Sequence, residues 1–274
     1  MRRDGLAPVG VFDSGIGGWS VLREIRRELP REALLYVADA GHAPYGGHAK
    51  EYIAARAHAV AGFLVDAGAK ALVVACNTAT SAAVTSLRAR FELPIVAMEP
   101  AVKPAAALTR TGVIGVLATE RTIDGEQLAR LRDRYGRDVR ILSQACPGLV
   151  EHVEAGNFRG PDARRLLERY VRPLLAEGAD VLVLGCTHYP LLRALIEEVA
   201  GGAAIIDPAP AVARELRRRL EAAGLLSTAS AAPPAPRVCT TGSAAQCARL
   251  IALLDDVPLS VETVTLPSSA VPVA

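Results

Sequence analysis

Two cysteines raise the first chemical question. Cys76 ends the apolar run in ALVVACNTAT (71–80), and Cys186 ends the one in VLVLGCTHYP (181–190), 186 − 76 = 110 residues later. Each follows a small residue and precedes a helix start bearing hydroxyls or amides: Asn77, Thr78, Thr80 and Ser81 in one segment, Thr187 in the other, with Pro190 where a first helical turn accepts it. A thiol at a helix N-terminus feels the positive end of the helix dipole, which favours the thiolate, a base or a nucleophile. One buried Cys is ordinarily a small hydrophobe, but two placed alike in two similar segments point to function. A nucleophilic hydrolase or transferase needs one thiol and an activating His. Two equivalent acid/base groups on opposite faces of a substrate instead suit a reaction whose product is the mirror image of its substrate. One thiolate removes the α-proton and the opposite thiol returns a proton to the other face.

Other polar residues stand in short motifs. Asp13 and Ser14 lie in the Gly-rich stretch GVFDSGIGG (10–18), whose glycines allow a sharp turn and close approach to a ligand. The continuation G-I-G-G-W-S lacks the third glycine of a dinucleotide fingerprint and is no P-loop, which disfavours a nucleotide-binding module. The plain alternative for Asp13 is a helix N-cap. Tyr45 and Gly46 lie on the loop DAGHAPYGG (39–47), where a Tyr is usually a packing anchor. His188 adjoins Cys186 and is read as tuning that thiol or its proton exchange. The five cysteines (76, 146, 186, 239, 247) and five histidines (42, 48, 58, 152, 188) contain no C-x-x-C or H-E-x-x-H pattern, so neither a zinc site nor a disulfide framework is expected. Cys146, Cys239 and Cys247 are assigned to structure and core. His152 is read as a solvated helix residue, His48, His58 and Trp19 as ordinary packing or exposure, and His42 receives no role.

The elements that must position these residues alternate short apolar runs with amphipathic stretches, the pattern of parallel sheets covered by helices. Strands are expected at 9–13, 34–39, 71–75, 94–98, 113–118, 139–143, 181–185, 204–207, 237–241 and 260–266, and helices at 18–28, 50–67, 123–135, 162–176 and 211–223. The echo between the two Cys segments, and a second between GVFDSGIGG and IGVLATERTI (114–123), implies two related α/β domains, each offering one Cys at the carboxyl end of a strand. That is where open α/β sheets bind ligands. The expected domains are 1–99 with 208–274, and 100–207, with the active site in the cleft between them. The stretch 225–237, rich in Pro, Ala and Ser, reads as a surface loop before a short return to one of the sheets. Length, 274 residues, accommodates two domains. A net charge of +2 argues against a nucleic-acid or anionic-membrane partner. Apolar runs are too short to span a bilayer, and the opening MRRDGLAPVGVFDSG, acidic at positions 4 and 13, does not read as a signal peptide. A cytoplasmic protein with reduced thiols is expected. Lysines are few (Lys50, Lys70, Lys103), which leaves little room for Schiff-base chemistry.

Taken together, GVFDSGIGG, DAGHAPYG, VVACNTATS, CPGLVEHVE, LGCTHYP and IIDPA resemble, in order and over about residues 8–265, the glutamate racemases of the aspartate/glutamate racemase superfamily. The resemblance implies interconversion of L- and D-glutamate without pyridoxal phosphate or any other cofactor, supplying D-glutamate for peptidoglycan. It implies that Cys76 takes the α-proton of D-glutamate and Cys186 that of L-glutamate. It sets Asp13 beside the substrate amino group and the first thiol, and adds Ser14, the Tyr45–Gly46 pair, Asn77 with Thr78, and Thr187 with His188 as substrate contacts. Amide and hydroxyl donors, with helix N-terminal N–H groups, can hold two carboxylates without an arginine clamp. Glu154 matches a family acid supporting the second half of the site, with Glu151 as its competitor. An aspartate or hydantoin racemase using the same thiols, and a binding or regulatory homologue with little turnover, stay open as alternatives. A homodimer is an open expectation.

Overall fold

The computed structural model describes residues 6–231, 233, 235–255 and 259–267. The acidic residue at position 4 and positions 232 and 234 of the Pro-rich stretch lie outside the described residues. From β1 (Val9–Asp13) the chain runs through α1 (Trp19–Glu28), β2 (Leu34–Ala38), α2 (Lys50–Asp66), β3 (Ala71–Val74), α3 (Asn77–Arg90) and β4 (Ile95–Ala97). A second series follows: α4 (Val102–Leu108), β5 (Val113–Ala118), α5 (Glu120–Ile123), α6 (Glu126–Tyr135), β6 (Arg140–Ala145), α7 (Leu149–Glu154), α8 (Pro161–Ala176), β7 (Val181–Gly185), α9 (Arg193–Ala200) and β8 (Ala204–Ile206). The last elements are α10 (Ala209–Ala222), β9 (Arg237–Thr240), α11 (Ala244–Leu254) and β10 (Val261–Thr263).

All pairings among these strands are parallel. They form one sheet of order β10-β9-β2-β1-β3-β4 and another of order β6-β5-β7-β8. The chain accordingly parts into two compact units, one running through Met98 and resuming at Ala209, the other spanning Glu99–Pro208. The order β2-β1-β3-β4 in the first sheet repeats as β6-β5-β7-β8 in the second, so the two sequence echoes rest on one recurring topology. The C-terminal return adds β9 and β10 to the first sheet beside β2.

Helices cover both faces of a parallel sheet, which explains why β1, β2, β3 and β7 are buried at every position and read as continuous apolar runs. Phe12, Val37, Leu72 and Val74 pack with Ile53 and Leu64 of α2 and Leu87 of α3. Ile114, Val116 and Val183 pack with Val102 of α4 and Leu128 of α6. Each such side chain contributes roughly 1.5–3 kcal/mol through burial. With few aromatics, these cores are aliphatic, and the lone Trp19 lies at the start of α1, edge-on to Tyr36 and donating from Nε1 to Asp255 Oδ2 at 2.8 Å. The buried Lys70 pairs with Glu32 at 2.5 Å. Both precede strands, so this pair lies at the amino edge of the first sheet, opposite the edge that carries Cys76.

One expected helix divides. Of the stretch 123–135, Ile123 ends the short α5 and the helix proper, α6, begins only at Glu126, because Gly125 adopts an extended conformation (φ −75°, ψ 145°) as the N-cap of α6.

Candidate active site

In the first unit, strand register assembles the site. Phe12 of β1 stands opposite Val74 of β3, and the Ala75 N–H donates to Phe12 O at 2.9 Å. Both chains then leave the sheet at the same edge, which sets Ser14 beside Cys76 with Sγ and Oγ 3.8 Å apart. Cys76 is the N-cap of α3, and its sulfur accepts from the Ala79 N–H at 3.4 Å. The thiol thus takes the place usually filled by a Ser or Asp oxygen, at the positive end of the helix. Asp13, fully buried, folds its carboxylate back over the glycine turn and accepts from the N–H groups of Gly15 (3.2 Å) and Gly18 (2.9 Å). Gly18 is needed here for space: a Cβ on it would lie 2.5 Å from Asp13 Cβ and 2.9 Å from the Tyr36 hydroxyl.

Asn77 opens α3 in nearly complete burial, yet neither its Oδ1 nor its Nδ2 has a hydrogen-bond partner in the protein. A buried orphan amide is costly, and one next to a thiol at a sheet edge has the character of a ligand contact. Thr78, next in the same turn, is also buried. Tyr45 and Gly46 form a 3₁₀ turn after β2, preceded by a cis Ala43–Pro44 peptide. The Tyr45 hydroxyl does not face an open site. It donates to Asp39 Oδ2 at 2.5 Å, and burial, with the Asp39 carboxylate, pushes the phenol well above its ordinary range.

In the second unit, Cys186 follows β7 as Cys76 follows β3. Gly185 before it has no room for a side chain, since a Cβ would lie 2.9 Å from Leu117 O of neighbouring β5. Here the expected local likeness fails: Cys186 leads into a 3₁₀ turn, Tyr189–Leu192, and α9 begins only at Arg193, so this thiol lacks the α-helix N-terminus that Cys76 has. A histidine stands in that place. His188, fully buried, sets Nδ1 3.7 Å from Cys186 Sγ and Nε2 2.6 Å from Glu154 Oε1 on α7. Thr187 Oγ1 lies 3.5 Å from the same Nδ1. Burial alone would push the imidazole down, but its bonds to Cys186 and Glu154 outweigh burial and hold it well above its ordinary range. A cationic ring donates from both nitrogens, to sulfur on one side and carboxylate on the other. Glu154, not the exposed Glu151, is the acid in contact with His188.

The remaining thiols and histidines also have places. Cys146, Cys239 and Cys247 are buried, and burial pushes the Cys146 thiol up to about 12. His58 Nε2 lies 2.8 Å from Ser86 Oγ, and His42 Nδ1 lies 2.6 Å from the Tyr52 hydroxyl. Reading the sequence left out Thr119. In the repeated topology it is the counterpart of Ser14: Ala118 of β5 pairs with Gly185, so Thr119 and Cys186 follow side by side at the sheet edge. Thr119 caps α5, with its Oγ1 3.0 Å from Thr122 Oγ1. The echo of 10–18 in 114–123 was the signal for it. Among the described residues, no group of three or more His, Cys, Asp or Glu is placed to hold a metal ion.

Two α/β units that share a four-strand order, each carrying a buried cysteine just after the third of those strands, define a duplicated α/β protein. The chain matches the Asp/Glu/Hydantoin racemase family over residues 10–216 and belongs to that family. A glutamate racemase of Ectopseudomonas mendocina is 58% identical over 224 residues, covering 81% of this chain and 85% of that protein. The solved structure of a glutamate racemase isoform from Bacillus anthracis aligns with a TM-score of 0.86 at 33% identity, covering 95% of this chain and 98% of that one. The Francisella tularensis glutamate racemase, solved in complex with D-glutamate, aligns with a TM-score of 0.85 at 26% identity, covering 97% and 100%.

Proposed function

We propose that this protein interconverts L- and D-glutamate by a two-base mechanism without a cofactor, Cys76 and Cys186 serving opposite faces of one α-carbon. The observation that carries the reading is the equivalence of the two thiols: each follows the third strand of the same four-strand order. The glutamate racemases to which the chain is similar support the choice of substrate. In the D-to-L direction the Cys76 thiolate takes the α-proton; the C–H bond breaks, an S–H bond forms, and the electron pair stays on the α-carbon, delocalised into its carboxylate. Cys186 then donates its thiol proton to the opposite face. In the reverse direction the roles exchange. His188, held by Glu154, hydrogen-bonds the Cys186 sulfur and can pass it a proton. Asp13 stands near the substrate amino group, and Asn77, Thr78, Ser14, Thr187 and the Tyr45–Gly46 turn hold the carboxylates. The protein works in the cytoplasm on free glutamate and supplies D-glutamate for peptidoglycan, and a homodimer is the assembly this reading allows.

The test is incubation with L-glutamate, L-aspartate and a hydantoin in heavy water. Deuterium should enter the α-carbon of glutamate as D-glutamate accumulates, and the other two should stay largely unlabelled. With β-chloroglutamate as substrate, Cys76→Ser should keep HCl elimination from the L enantiomer and lose it from the D, and Cys186→Ser should show the opposite preference. Loss of both eliminations in either variant would rule out independent facial bases.

A further inference from the structure

Beneath the Tyr45–Gly46 turn lies a carboxylate that the reaction does not use. Asp39 is fully buried, and each of its oxygens accepts two hydrogen bonds. Oδ1 accepts from Arg56 Nη2 at 2.8 Å and from the Thr241 hydroxyl at 2.7 Å, while Oδ2 accepts from Arg56 Nε at 3.0 Å and from the Tyr45 hydroxyl at 2.5 Å. Its main chain is engaged as well: the Asp39 N–H donates to Asp13 O at 3.0 Å, and its carbonyl accepts from the His42 N–H at 2.9 Å. Arg56 is used up by this arrangement, because its remaining Nη1 donates to Pro267 O at 3.3 Å. Thr241 reaches across to the same loop, accepting from the Gly41 N–H at 3.1 Å.

A buried ion pair contributes little net stability over an apolar replacement of the same shape, so its retention here asks for another reason. Residues 40–47 hold two short 3₁₀ turns, with Tyr45 as their buried side chain. Such a segment has little apolar anchorage of its own. The geometry points to Asp39 as a positioning residue that locks this loop: Arg56 and Thr241 clamp Asp39, and Asp39 fixes the Tyr45 phenol and the end of β1 at Asp13. It follows that Tyr45 serves substrate through its place on the loop and the main chain of Tyr45–Gly46, while its hydroxyl binds Asp39. Arg56, likewise, is no carboxylate clamp for glutamate.

This inference rests on glutamate racemisation as proposed above. Loosening a loop that contacts substrate in ground and transition states alike removes uniform binding, which appears in KM more than in kcat. Tyr45→Phe keeps the ring and removes only the bond to Asp39. It should raise KM about tenfold for both enantiomers while kcat changes less than about threefold. Thr241→Val should move KM the same way by a smaller factor, and Asp39→Asn by a larger one if it folds. Glu32→Gln, which breaks the equally buried pair with Lys70 at the far edge of the same sheet, should lower Tm and leave KM unchanged. That contrast separates positioning from mere stability. A wild-type KM in Tyr45→Phe, or a KM in Glu32→Gln raised as far as in Tyr45→Phe, would overturn the positioning role while racemisation stood. A wild-type protein inactive on glutamate would instead overturn the functional reading, and this inference with it.

Discussion

Cys76 and Cys186 occupy equivalent positions but different surroundings. Cys76 sits on an α-helix N-terminus with Ser14 beside it, whereas Cys186 has His188 and, behind that ring, Glu154. The helix dipole is permanent, but the His188 support depends on protonation. Glu154→Gln should let the imidazole fall toward its ordinary value near ~6.5. Exchange of the L-glutamate α-proton should then slow by about tenfold to a hundredfold, and the limb of its pH profile that reports His188 should move to lower pH. An unchanged profile would remove His188 from the proton path. The same pair acts on stability with a definite sign. Because the folded state raises the pKa of His188, its contribution is fully present below the unfolded value and is lost as pH rises through the folded one. Urea unfolding should therefore show Glu154→Gln most destabilised relative to wild type below about pH 6.5 while Glu154 is ionised, with the gap narrowing in alkali.

At the scale of elements, the turn between β1 and α1 decides where Asp13 goes. Its carboxylate is held by the Gly15 and Gly18 amides, and Gly18 approaches it too closely for any side chain. Gly18→Ala must push Asp13 or Tyr36 aside. The expected outcome is a loss of about 1–3 kcal/mol in urea unfolding together with a fall in kcat/KM of about a hundredfold. Wild-type values in both would show that the turn yields without consequence. The glycine-rich motif is thus a packing requirement around Asp13 rather than a phosphate cradle, in agreement with its incomplete dinucleotide fingerprint.

Across the whole molecule, one topology is used twice, and each copy is tied at its amino edge away from the site. In the first unit Lys70 pairs with Glu32. In the second, Asp180 before β7 accepts from the Thr109 hydroxyl at 2.5 Å and from the Arg110 and Thr111 N–H groups at 2.8 and 3.2 Å. Burial opposes the charge of Asp180, but these bonds outweigh it and hold the carboxyl at about 2. A depressed carboxyl contributes stability that is present above its unfolded value and lost as pH falls through the folded one. Asp180→Asn should cost about 1–2 kcal/mol at pH 7, and the difference from wild type should vanish between about pH 4 and pH 2. A difference independent of pH would assign the effect to packing. Among the described residues, no helix is long and apolar enough to cross a membrane.

The strands and the family were legible in the sequence because both are local properties. A parallel strand buried on both faces is a continuous apolar run, so the sequence pattern places 9–13, 113–118 and 181–185 with the boundaries they have, and six short motifs taken together carry the family. The echo between the two halves was legible for the same reason, since each repeat is written out in full. Three features had no local signature. The choice of Glu154 over Glu151 depends on which side of α7 meets His188, and that is decided by how α7 packs, not by residue type. The 3₁₀ turn after Cys186 carries the same hydroxyl and proline signals as a helix start. The Asp39 cluster joins Tyr45 and Arg56 to Thr241 and Pro267, some 200 positions away. A buried carboxylate must find its donors wherever the fold brings them, and only the addition of β9 beside β2 brings Thr241 to Asp39.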